Sequence, residues 1–196
     1  CVRTVQSAAH IGQWLQYHRA MGFTRVFVLL DTKTTDMTVD VLAPFAARSF
    51  VDITRVHMLN RQSSTSALST CYDRVAAIMP NHTWVMVLDD DELLVPGPQT
   101  NYSVMQALQQ LEKQGCACSE VPRYQVSSQV DSCAATASHF MDRFKLRTKG
   151  SSGFPKYLFQ PHSILRSQGN LSGKGSKARE PNIGEVRHGP ALHAIC

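Results

Sequence analysis

The chain has 196 residues, 43% of them hydrophobic and 18% charged, with a formal net charge of +5. That is the size and composition of one globular domain with a substantial core, and it excludes a disordered chain. No apolar run approaches the roughly 20 residues that cross a bilayer, and the lysines and arginines are scattered rather than interleaved with aromatics. A membrane segment would therefore lie outside this chain, and a nucleic-acid groove is not expected.

In chain order, Ile11, Trp14, Leu15, His18 and Met21 recur at helical spacing, and Gly22 supplies a stop. Residues 26–30 form an apolar, β-branched run ending at Asp31, the pattern of a buried strand. Thr34-Thr35-Asp36 then caps a helix carrying Val39, Val41, Leu42 and Phe45. Residues 51–56 alternate as a second strand, and 64–79 form a helix closed by Pro80. Residues 85–88 make a third strand. This alternation predicts an α/β fold with a mostly parallel sheet covered on both faces, and ligands outside the carboxyl ends of its strands.

The second half is less regular. Residues 104–111 read as a helix and 120–126 as a strand, set at an edge by Pro122. Residues 156–159 and 163–165 read as a strand pair broken at Pro161, and 167–181 as a loop rich in Gly, Ser, Lys and Arg. No repeat or second domain is visible, so one domain is expected over residues 1–196.

Behind the third strand stand Asp89, Asp90, Asp91 and Glu92. Packed carboxylates raise one another's pKa and destabilise a fold unless a cation neutralises them. Hard oxygen ligands suit magnesium or manganese. Spacing alone leaves two readings open, a solvated acidic turn and a seat for a divalent cation. Six cysteines and three sequons (Asn81-His82-Thr83, Asn101-Tyr102-Ser103, Asn170-Leu171-Ser172) tilt the expected location toward the lumen of the secretory pathway. The chain opens at Cys1 and is read as a piece of a longer protein, with any leader or anchor upstream.

Several stretches together resemble glycosyltransferase family 92 and related family-2-type transferases. Residues 13–22, QWLQYHRAMG, resemble the family's E-W-x-x-Y-H-x-x-x-G helix. Asp31 with Asp36 resembles its D-N-x-S-x-D strand end, and residues 84–94, WVMVLDDDELL, its W-x-x-x-x-D-x-D-E-F strand. Cys71 stands where the family often has a cysteine. Arg143-Phe144, Lys156-Tyr157-Leu158-Phe159-Gln160-Pro161 and His188-Gly189-Pro190 resemble its R-Y, K-x-I-x-x-P and closing histidine elements. The chain departs from the pattern at Gln13, at Arg3-Thr4-Val5-Gln6 where the family has an N-E pair, at Thr32 to Thr34, and at Leu93.

The resemblance implies a single-domain GT-A type, Rossmann-like fold. It also implies transfer of a hexose, galactose as a first guess, from a nucleotide-diphosphate sugar, a UDP-sugar first, to a hydroxyl of a glycan or glycoprotein, with inversion. It implies Mn2+ (or Mg2+) held by Asp89, Asp91 and His188, with His193 in reserve. Asp91 is the direct ligand, and Asp89 faces ribose, sugar or ion. Arg3, Asp31, Asp89, Asp90 and Lys156 are the expected donor-binding residues. Asp131 leads Asp142 and Glu92 as general base, and Asp91 serves catalysis through the ion. The expected setting is the Golgi lumen, as part of a membrane-anchored protein. Trp14, Trp84, Tyr17 and His18 are read mainly as core residues. Two alternatives stand beside this reading. One is a transferase-like domain that binds nucleotide or saccharide without turnover. The other is a haloacid-dehalogenase-like phosphatase, which would need a later adjacent acidic pair that the chain does not have.

Overall fold

The structure is a computed structural model that describes residues 1–57, 61–81, 83–128, 144–147, 156–160 and 184–188. Its first half alternates β1 (Val2–Thr4), α1 (Ile11–Ala20), β2 (Val26–Asp31), α2 (Thr38–Ala46), β3 (Val51–Val56) and α3 (Arg61–Ile78). Then come β4 (Val85–Met86), β5 (Leu88–Asp89), β6 (Glu92–Pro96), a 3-10 turn (Pro98–Thr100) and α4 (Val104–Lys113). The remaining strands are β7 (Cys118–Val121), β8 (Arg123–Ser128), β9 (Phe144–Arg147), β10 (Lys156–Phe159) and β11 (Gly184–His188).

The central sheet has the order β3-β2-β1-β5 and is parallel throughout. All six residues of β2 are buried. Its side chains alternate between two cores, as the period of a strand requires. Val26, Val28 and Leu30 face a cluster with Ile11, Trp14 and Leu15 of α1, Leu42 of α2 and Leu111 of α4. Phe27 and Leu29 face a second cluster with Cys71 and Val75 of α3. Helices therefore cover both faces, as the alternating pattern predicts.

Two smaller sheets complete the fold, β4-β10-β7 and β6-β11-β8-β9. The expected strand over 85–88 divides at Val87, with β4 pairing antiparallel to β10 and β5 joining the parallel sheet beside β1. The expected strand over 120–126 divides at Pro122, whose missing N–H breaks the ladder, so β7 and β8 enter different sheets. Short β1, β6, β9 and β11 have no counterpart in the sequence reading. Residues 163–165 and 167–181 lie outside the described residues.

Local chemistry explains the element ends. The N-cap position of α2 is Met37, which makes no side-chain cap, and Asp36 just before it accepts from the Thr38 amide through Oδ1 at 3.1 Å. Gly22 follows α1 with φ +97°, a conformation that favours glycine. Ser103 caps α4 by accepting from the Gln106 amide at 3.3 Å. A disulfide joins Cys1, at the amino end of β1, to Cys71 in α3 and ties that helix to an interior strand of the parallel sheet.

His18 is fully buried against Trp14, Tyr17 and Phe23, with Nδ1–H donating to the Trp14 carbonyl at 2.9 Å. Burial pushes its pKa down to about 4. The unfolded chain binds this proton near pH 6.5 and the folded chain near 4, so the stabilisation is complete above 6.5 and disappears as pH falls between them. The difference corresponds to about 3 kcal/mol. Urea midpoints of wild type and His18→Phe should therefore converge, in favour of the variant, as pH falls from neutral toward 4. A constant gap would contradict the buried neutral imidazole.

Candidate functional site

The acidic residues sit where the chain leaves the parallel sheet and turns back. β5 ends at Asp89, Asp90 and Asp91 form the turn, and β6 begins at Glu92. Helix α1 holds the returning strand. The Trp14 indole N–H donates to the Glu92 carbonyl at 2.7 Å, and the Tyr17 hydroxyl donates to the Leu94 carbonyl at 2.7 Å. Trp14 is thus a core residue with its one polar atom satisfied, as expected. Trp84 is only partly buried, and its indole N–H donates to Glu112 at 2.9 Å.

Two of the four carboxylates, Asp89 and Glu92, are paired with cations from three other strands. The register of β1 and β5 sets Arg3 beside Asp89, and its Nη2 donates to Asp89 Oδ1 at 2.7 Å. Lys156 of β10 bridges two acids, with Nζ 3.1 Å from Asp89 Oδ2 and 2.7 Å from Glu92 Oε2. Arg123 of β8 brings Nε within 3.0 Å of Glu92 Oε1. The Asp89 amide donates to Glu92 Oε2 at 2.8 Å and closes the turn. This network joins all three sheets at one point.

Environment drives the two paired carboxyls apart. Burial raises the Asp89 pKa, but Lys156 and Arg3 outweigh it and hold the group below the usual aspartate range. Glu92 is wholly buried, and that burial, reinforced by the Asp89 charge, keeps it above its ordinary value despite Lys156. With no exposure and two ion pairs, Glu92 is a strut between sheets. That position removes it from the candidate bases.

Asp90, expected on the donor, points inward. Its Oδ2 accepts from Thr4 Oγ1 at 2.6 Å and from the Ser7 hydroxyl, with His10 Nε2 3.8 Å away. Gln6 precedes Ser7 at φ +52°. Asp31 is buried at the carboxyl end of β2, two strands from Asp89 and ~10 Å across the sheet at ordinary strand spacing. Its Oδ1 accepts from the Lys33 amide at 2.9 Å. Asp31 shares the rim but not the ion-pair network.

Asp91 lies partly exposed in the turn. β11 pairs antiparallel with β6 so that His188 is directly across from Glu92. The histidine position is thereby brought next to the acidic turn, although the two are far apart in sequence. Among the described residues no three His, Cys, Asp or Glu side chains form a complete metal site. Both oxygens of Asp89 are already paired with cations. Of the ligands the sequence pattern proposed, Asp91 stands in the turn and position 188 lies across from Glu92. Asp131, Asp142 and His193 lie outside the described residues. The spacing of residues revealed nothing of Thr4, Ser7, His10 or Arg123. Their link to the acids is a matter of pairing between strands.

An acidic turn at the carboxyl end of a parallel α/β sheet does not by itself name a function. Comparison with known families is more specific. The model of glycosyltransferase family 92 matches residues 1–190, and the chain belongs to that family and is a glycosyltransferase. No curated protein matches the chain. Among solved structures, it is similar to a 4-diphosphocytidyl-2C-methyl-D-erythritol synthase, with TM-score 0.45 and 14% identity, covering 90% of this chain and 81% of that one. The enzyme of the same name from Anaerococcus prevotii gives 0.41 and 10%, covering 91% and 77%. HddC from Yersinia pseudotuberculosis, complexed with GMP-PN, gives 0.40 and 11%, covering 91% and 74%.

Proposed function

We propose that this glycosyltransferase moves a hexose from a nucleoside-diphosphate sugar to a hydroxyl of a glycan or glycoprotein, with inversion and with a divalent cation. The observation that carries the reading is the β6–β11 register, which brings position 188 beside the acidic turn. Asp91 and His188 would hold Mn2+ or Mg2+, which would neutralise charge developing on the departing diphosphate.

The chain's own residues support the same chemistry. Arg3 and Lys156 keep Asp89 in one orientation and place positive charge on the rim that a diphosphate would approach. Asp90, tied to Thr4 and Ser7, fixes the turn from beneath, so Asp89 and Asp91 keep their separation. Asp131 is the proposed base for the acceptor hydroxyl. The Cys1–Cys71 disulfide favours an oxidising compartment, in keeping with a secretory-lumen, Golgi setting and a membrane anchor outside this chain.

Assaying nucleoside-diphosphate release from a panel of sugar nucleotides tests the proposal. A UDP-hexose should be turned over with manganese and spared when the metal is chelated. Release that persists in chelator would refute the metal requirement. Binding of nucleotide with no release from any donor would favour the non-catalytic alternative.

A further inference from the structure

The acceptor asparagines of two of the three sequons, Asn81 and Asn101, are described and exposed. Asn81 is exposed in the turn after α3, where the Thr83 amide donates to the Pro80 carbonyl at 2.9 Å. Asn101 is exposed at the end of the 3-10 turn with φ +49°, a conformation asparagine tolerates well. Tyr102 beside it is 64% exposed.

Both lie toward the amino ends of the parallel strands, away from the acidic turn. Asn81 precedes β4, the strand that leads toward the acids. Asn101 follows β6, which leads away from them, and α1 shows how far. Trp14 touches Glu92, Tyr17 one turn later touches Leu94, and Gly22 at the far end of α1 approaches Met105, whose Cγ would be 3.8 Å from an added Cβ. The chain near Asn101 is therefore level with the amino end of β2, not with the rim that carries Asp89 and Asp91.

We propose that Asn81 and Asn101 are N-glycosylation sites whose oligosaccharides project from the face opposite the donor site. The substrate class is an oligosaccharide carried on a lipid diphosphate. The Asn Nδ2 forms a bond to the anomeric carbon as the carbon–oxygen bond to the diphosphate breaks. The electron pair leaves with the lipid diphosphate and Nδ2 loses one proton. At both positions the attached chain would meet solvent, and neither asparagine belongs to the ion-pair network. The inference rests on the secretory-lumen setting proposed above.

The test directs the full chain into the secretory pathway of a eukaryotic cell and maps peptides after glycosidase release in heavy-oxygen water. Isotope-marked aspartate is expected at positions 81 and 101. Asn81→Gln and Asn101→Gln should each remove one glycan step on a gel and leave nucleotide release unchanged. A protein with the Cys1–Cys71 disulfide intact and both asparagines unmodified would overturn this inference alone. A protein lacking both the disulfide and the glycans would overturn it together with the proposed location.

Discussion

Replacing Glu92 with alanine is expected to lower folding stability by about 3 kcal/mol, and the melting temperature by roughly 6–12 °C for a chain of this length. The carboxylate is wholly buried and serves Lys156, Arg123 and the Asp89 amide at once. Removing it leaves two cations facing a cavity and one buried donor unsatisfied. The loss stays near the lower end for such pairs because Lys156 keeps Asp89 and Arg123 is 24% exposed. Glu92→Gln should cost less, since its carbonyl can still accept from the Asp89 amide. Urea unfolding of the three proteins measures this directly. A loss below about 1 kcal/mol in the alanine variant would show that the junction of the three sheets does not depend on this group.

Asp91→Ala should behave in the opposite way. Asp91 is partly exposed in a turn, so stability should change by about 0.5 kcal/mol. Sugar transfer should fall about 10²–10³-fold, the usual consequence of deleting one group that supports charge developing in a transition state. The contrast between adjacent residues is the useful part. Glu92 holds the fold, and Asp91 is proposed to do chemistry. Comparable stability losses in both variants would erase that distinction.

What could be read from the sequence was what depends on near neighbours. The buried run of β2, the helical spacing from Ile11 to Met21 and the stop at Gly22 are each written within a dozen residues, and the structure has all three. The start of α2 beside Asp36 was legible for the same reason, though its N-cap position is Met37. Pairing between distant strands was not. Nothing local to Gly184–His188 indicates that it lies against β6, because the partner strand is about ninety residues away in sequence and the pairing is made only in the folded chain. The division at Val87 has the same origin, since β4 and β5 answer to different partners.

The acid cluster shows the limit most clearly. Spacing left open a solvated acidic turn and a seat for a cation, and it gave no sign that Arg3, Lys156 and Arg123 pair with Asp89 and Glu92. Asp90 was expected among the donor-binding residues, and what its neighbours in sequence could not indicate is its bonding to the hydroxyls of Thr4 and Ser7. A charge run gives composition, whereas its partners are chosen by topology.

Calorimetric titration of uridine diphosphate into wild type and Asp91→Ala, with manganese and with chelator, tests the central claim most directly. The proposal predicts binding to wild type that strengthens sharply with manganese, and loss of that strengthening in the variant. Equal affinity for the wild type with and without the metal would contradict it.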